Sequence, residues 1–173
     1  MDKLDVFFVQ PSGENWKGEV EKQGKIHGIG QSTSTSDGYE IALLSEVCNQ
    51  AGIASDYMVH RPDVADRNAL IDLAKKIVGK SPKIVGIEAM TCYSNNAILL
   101  SQEIKALNSN ISIIAGGYHP SGYPEMLYDA GWTIDYVVLG VGEIVVPKLI
   151  KEILSGESKI FASRKRFQLP QGR

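Results

Sequence analysis

Short, largely β-branched apolar runs recur along this chain, separated by stretches in which apolar positions fall three and four residues apart. The short runs are Leu4 to Val9, Ser55 to His60, Lys83 to Glu88, Ile111 to Ala115 and Asp135 to Leu139. Runs of this length without strict polar alternation predict strands covered on both faces. Helical spacing follows in Gly38 to Ala51 (Ile41, Leu44, Val47-Cys48), Val64 to Val78 (Leu70, Leu73-Ala74, Ile77) and Ala97 to Leu107 (Ile98, Leu100, Ile104, Leu107). Tyr123 to Ala130 and Ile144 to Leu154 complete the set. Ser36 or Asp37 is placed to cap the first helix, Gly52 to end it, and Gly79 with Pro82 to end the second. Strands and helices in strict alternation predict an α/β fold, a doubly wound five-stranded parallel sheet with helices on both faces. That architecture occupies residues 1–156. The basic stretch Ser163 to Arg173 lacks an apolar face, so 157–173 reads as a tail or linker remnant.

In an open parallel sheet, ligands bind outside the carboxyl ends of the strands. Two of those ends carry paired glycines here, Gly116-Gly117 after the fourth strand and Gly140-Val141-Gly142-Glu143 after the fifth. Glycine at such a turn lets backbone approach a ligand more closely than a Cβ permits. The first strand runs into Gln10-Pro11-Ser12 and then a long polar stretch to Asp37, a length that inside a compact domain points to function or disorder.

Composition narrows the functional classes. The 173 residues are enough for one domain with a proper core and carry a net charge of -2, which gives no nucleic-acid footprint. No apolar stretch approaches the roughly 20 residues that cross a bilayer, and the start of the chain lacks the pattern of a signal peptide, so a cytoplasmic location is expected. The two cysteines, Cys48 and Cys92, read as reduced and core-associated. Two widely separated cysteines do not supply the ligands of an iron–sulfur cluster or a cysteine zinc site.

Four segments carry a resemblance. They are Asp5-Val6-Phe7-Phe8-Val9-Gln10-Pro11, Val85-Gly86-Ile87 with Thr91 and Ser94, Gly116-Gly117-Tyr118-His119-Pro120 with Pro124-Glu125, and Asp135-Tyr136-Val137-Val138-Leu139-Gly140-Val141-Gly142-Glu143. Together they resemble the cobalamin-binding domain, in the variant that precedes the core of cobalamin-dependent radical S-adenosylmethionine (SAM) enzymes. The resemblance implies a Rossmann-like, flavodoxin-like domain that binds cobalamin and therefore cobalt. It implies a radical SAM core as partner, and methyl transfer or related radical chemistry as the reaction. The CxxxCxxC motif of that core is absent from this chain, and Val141 stands where the family often has an acidic residue.

Loop position and resemblance give a candidate cofactor-binding set of Gln10, Pro11, Ser12, Thr91, Ser94, Gly116, Gly117, His119, Pro120, Gly140, Gly142 and Glu143. No catalytic residue is assigned. Thr91 and Ser94 are also placed to cap the following helix, and Glu143 to complement its helix dipole. His119 is expected to order its own loop through a local hydrogen bond, and His60 to lie at the surface. Many cobalamin carriers bind cobalt from below with the histidine of D-x-H-x-x-G. Here the stretch reads Lys25-x-His27-x-x-Gly30, and a cation at position 25 cannot accept the imidazole N–H. His27 is thus a weak candidate metal ligand. The alternative reading is a flavin- or nucleotide-binding flavodoxin-like domain. That reading wants a phosphate loop directly after the first strand, a character that Gln10 to Asn15 lacks. A response-regulator-like domain would want an acidic cluster at the first strand, where only Asp2 and Asp5 precede it, and Glu88 in place of an Asp ends the third.

Overall fold

Every side chain of Val6–Gln10 (β1) and Ile84–Glu88 (β3) is buried, as residues sandwiched between two helical layers must be. These two strands are neighbours inside a sheet in a computed structural model that describes residues 4–12, 38–61, 67–122, 133–156 and 165–167. The remaining elements, in chain order, are Tyr39–Gln50 (α1), Ser55–Val59 (β2), Arg67–Gly79 (α2), a 3-10 turn Thr91–Tyr93, Ser94–Leu107 (α3), Ser112–Gly116 (β4), Tyr118–Gly122 (α4), Tyr136–Val138 (β5), Gly142–Ser155 (α5) and Lys165–Phe167 (β6).

The strands lie in the order β2-β1-β3-β4-β5-β6, and each described pairing is parallel. The five expected strands are all present. The sixth, Lys165–Phe167, pairs with β5 from within the stretch that reads as a basic tail. An edge strand needs only backbone hydrogen bonds to join a sheet, so charged side chains do not bar it.

Alternation along each strand sorts the core into two layers. Phe7, Val9, Val85, Ile87, Ile113, Ala115 and Val137 pack with Leu73, Ile77, Leu100 and Ile104, so α2 and α3 cover this face. Val6, Phe8, Ile84, Ile114 and Val138 pack with Ile41, Cys48, Val145, Val146 and Leu149, so α1 and α5 cover the other. Each fully buried aliphatic contributes roughly 1.5–3 kcal/mol of transfer free energy, which fixes strand register, because a one-residue slip would exchange the layers.

The amino edge of the sheet is closed by charge. Lys83 pairs with Asp5 at 2.6 Å and Lys105 with Asp135 at 2.7 Å, while Asp135 also accepts the Ile113 N–H at 2.7 Å. Asp5 is therefore engaged at the edge opposite the glycine turns, which removes it from any acidic cluster of the response-regulator kind.

Several boundaries depart from the sequence reading. Gly38, at φ 71°, immediately precedes α1 with no side-chain cap bond. Ser36 and Asp37, the expected caps, lie outside the described residues. α3 begins at Ser94, three residues before the expected start, because the 3-10 turn feeds directly into it. Tyr118–Gly122 forms a short helix straight after Gly117. The helix expected over Tyr123 to Ala130 lies outside the described residues. Gly52 (φ 77°) and Gly156 (φ 68°) follow α1 and α5 in left-handed conformation, as C-terminal glycines do.

Candidate functional site

β3 ends in Glu88, β4 in Gly116 and β5 in Val138, and the loops that follow meet on the carboxyl edge of the sheet. Gly117 takes φ 114°, and a Cβ there would approach the Ala89 carbonyl to 3.0 Å. That carbonyl accepts the His119 N–H at 3.2 Å, and the Ala89 N–H donates to Gly116 at 2.8 Å. The turn after β4 is thus stitched to the turn after β3, and only glycine fits at the crossing.

The turn after β5 is tied in by Ser121. Its hydroxyl donates to the Gly117 carbonyl at 2.8 Å and accepts the Gly140 N–H at 3.1 Å. Gly140 has φ 77°, with no atom placed to contact a Cβ there. The two glycine turns therefore share one rim and open into one space.

That space is a cavity of about 370 Å³ between the sheet and the helices α1 and α5. Phe8, Gly86, Ile114 and Val138 form its floor, Ile41, Leu44 and Val146 its helical walls, and Gly116, Gly117 and Gly140 to Glu143 its mouth. A Cβ built on Gly86 would overlap the Phe8 ring, so this glycine is what allows the ring to lie across the neighbouring strand. Tyr118 (74% exposed) and Val141 (56% exposed) stand at the mouth as solvent-facing apolar surface.

One ionisable group on this wall is strongly perturbed. Glu88 is 8% exposed, and its Oε2 is buried without a hydrogen-bond partner among the described residues. Burial pushes its carboxyl up to about 7, and the Glu40 carboxylate pushes the same way. Hydrogen bonds from Tyr93 and Gln10 oppose the rise. Gln10 Nε2 also donates to the Tyr93 hydroxyl at 3.1 Å, so the three side chains form one network.

A comparison with protein-family models matches the B12 binding domain over residues 30–150. The chain belongs to that family. Its cofactor is cobalamin, and the domain is a cobalamin-binding module. A protein named as an uncharacterized methyltransferase of Pyrococcus horikoshii is 34% identical over 85 residues, which are 49% of this chain and 18% of that protein. The chain thus spans less than a fifth of that relative's length.

The cavity fits part of the cofactor. At about 370 Å³ it lies near the lower end of the roughly 300–1,000 Å³ typical of small-molecule sites. Cobalamin is a broad, flat macrocycle with a nucleotide tail. A space of this size is large enough for the tail and too small for the macrocycle.

Of the candidate set read from the sequence, Gly116, Gly117, Gly140, Gly142 and Glu143 line the cavity. Gln10 and Pro11 are buried at the end of β1, and the Ser12 carbonyl accepts from Asn96 Nδ2 at 2.8 Å. Thr91 and Ser94 sit on the 3-10 turn and the start of α3, where the Ser94 hydroxyl donates to the Thr91 carbonyl at 3.2 Å. His119 is buried beside buried Pro120, with Nδ1 3.3 Å from the Thr91 hydroxyl, a bond that joins its loop to the 3-10 turn after β3 where a bond within its own loop was expected. His60 is half-buried rather than at the surface, and burial, then Lys76, lowers its pKa. His27 lies outside the described residues. Cys48 is fully buried and free, as expected of a core thiol, while the Cys92 side chain lies outside the described residues. Among the described residues, no three His, Cys, Asp or Glu side chains are grouped to hold a metal ion.

Glu88, Tyr93, Ser121 and Gly86 matter to this edge and were not in the candidate set. Glu88 carried a signal, a charged residue closing an otherwise apolar strand. Ser121 carried none, because its role depends on how far the two turns lie apart.

Proposed function

We propose that this module presents cobalamin to a radical SAM core, in methyl transfer or related radical chemistry. The observation that carries the reading is the glycine-rimmed cavity at the carboxyl edge. It has room for the nucleotide tail, and its open mouth leaves the outer face of the ring free for a partner. The four resembling segments and the methyltransferase name of the Pyrococcus relative support the same reading.

In this proposal Gly116, Gly117, Gly140 and Gly142 form the slot through which the tail passes, and Glu143 lies beside it in the first turn of α5. Thr91 and Ser94 offer hydroxyls to amide or phosphate groups on the α3 side. Gln10, Pro11, Ser12, His119 and Pro120 shape the loops around the slot. Tyr118 and Val141 give the macrocycle an apolar seat. Bound cobalamin supplies a cobalt centre that carries a methyl group. The protein supplies position and exclusion of water. The described histidines do not compete for the metal from the mouth: His119 is turned toward Thr91, and neither His60 nor His119 lines the cavity.

The test uses the cobalamin-loaded chain, a reduced cluster protein carrying CxxxCxxC, and S-adenosylmethionine labelled in its methyl group. Co-elution of the two proteins with label in a methylated product supports the reading. A loaded chain that neither co-elutes with such a protein nor changes its turnover contradicts it.

A further inference from the structure

Glu88 is the feature of the cavity that simple tail burial leaves unexplained. An apolar recess for a flat heterocycle does not need a carboxyl on its wall, and a buried polar oxygen left without a partner is costly. Its other oxygen is served by the network from Gln10 and Tyr93, which leaves Oε2 buried and unpartnered among the described residues, on a residue of the cavity wall. The remaining ionisable groups on the cavity wall are Glu40 on α1, Tyr118 on α4 and Glu143 on α5. Among these four elements the cavity gathers carboxyl groups and no described Lys, Arg or His. A second carboxylate nearby disfavours ionisation of Glu88, and no cation on the wall offsets it.

We propose that Glu88, in its acid form, is the specificity-determining contact of the cavity, donating from Oε2 to an uncharged acceptor on the ligand end that enters between α1 and α5. The acceptor is an unprotonated ring nitrogen or a carbonyl oxygen. An anionic end would be repelled by Glu40 and Glu143. The inference rests on the reading of the cavity as the seat of the nucleotide tail. It adds a residue that selects for that tail and makes its retention depend on pH.

The sign follows from which form binds. The acid form donates to the tail, and the carboxylate has no proton to give. Affinity is therefore full below the carboxyl's pKa and falls as pH rises through it, by about tenfold between pH 6 and pH 8 for a group centred near 7. Glu88→Gln keeps a neutral donor at every pH.

Dissociation constants for methylcobalamin and for methylcobinamide, which lacks the nucleotide tail, are measured by equilibrium dialysis in the dark at pH 6, 7 and 8. For the unaltered chain the methylcobalamin constant should rise about tenfold across that range, while Glu88→Gln stays within about twofold of the pH 6 value. Methylcobinamide binding should be flat for both proteins. Tyr93→Phe removes a hydrogen bond that favours the carboxylate, so its fall in affinity should be centred at higher pH. An unchanged slope in Glu88→Gln, an unmoved midpoint in Tyr93→Phe, or an equal slope for methylcobinamide overturns the role of Glu88 and leaves the tail-binding cavity standing. Failure of the unaltered chain to retain methylcobalamin at any of the three pH values overturns the cavity reading itself.

Discussion

The Gly140 backbone N–H donates to the Ser121 hydroxyl at 3.1 Å, across the gap between the turns that follow β4 and β5. The same hydroxyl donates to the Gly117 carbonyl, so one side chain spaces the two turns through the backbone of two glycines. The mouth of the cavity keeps its width because of this bridge.

Ser121→Ala should therefore loosen the mouth without unfolding the domain. A hydrogen bond of this kind contributes about 1 kcal/mol. Urea denaturation should show a loss of that order, and cobalamin affinity should fall several-fold. Unchanged affinity with the same stability loss would confine the bridge to a structural role.

Gly116 allows the cavity to be closed from within. Its Cβ position meets only Val138, at 3.8 Å, and its backbone is ordinary strand. Gly116 lies on the same strand face as Ile114, which is part of the cavity floor. Gly116→Phe should fill the space at a folding cost of about 1–3 kcal/mol, the range for overpacking, while cobalamin affinity drops by at least about tenfold. The checks are a cooperative unfolding transition and a spectroscopic titration on the same protein.

Glu88 should also leave a mark on stability. Its folded pKa is raised, to about 7 from the 4.5 of a free carboxyl, so the folded state holds the proton more tightly than the unfolded chain. The stabilisation linked to that proton is full below about pH 4.5 and is lost as pH rises through about 7. The accumulated loss is about 3 kcal/mol. Glu88→Gln should match the unaltered protein near pH 4.5 and exceed it by up to about that amount at pH 8. The comparison is made by urea denaturation of cofactor-free protein, and parallel pH profiles for the two proteins would refute it.

Cys48 is fully buried under α1, and burial raises its thiol to about 12. At pH 8 it should resist alkylation in the native state and react fully once denaturant is present. Peptide mapping by mass spectrometry isolates this cysteine, and rapid native labelling would contradict the packing described.

The sheet was legible because its strands are runs such as Val6 to Val9 and Ile111 to Ala115, whose burial on both faces leaves no polar alternation to confuse the reading. The shared rim of the glycine turns was legible for a related reason: consecutive parallel strands put their carboxyl ends on the same edge. Local starts were less legible. Ser94, Asn95 and Asn96 read as a polar turn because Ser and Asn compete for backbone hydrogen bonds, yet packing of Ala97, Leu100 and Ile104 extends the helix back through them. Pro120 similarly hides α4, although proline is tolerated in a first turn. β6 was hidden by its charge. The Gln10–Tyr93–Glu88 network joins residues far apart in sequence and exists only once β1 and β3 are side by side.

The most direct test is retention of the cofactor. The chain is mixed with excess hydroxocobalamin, passed through gel filtration, and read by its corrin bands against protein absorbance. The account predicts coloured protein with close to one cobalamin per chain, and colourless Gly116→Phe protein eluting at the same volume. Colourless unaltered protein, or equal colour in Gly116→Phe, would contradict the claim that the cavity behind the glycine turns holds cobalamin.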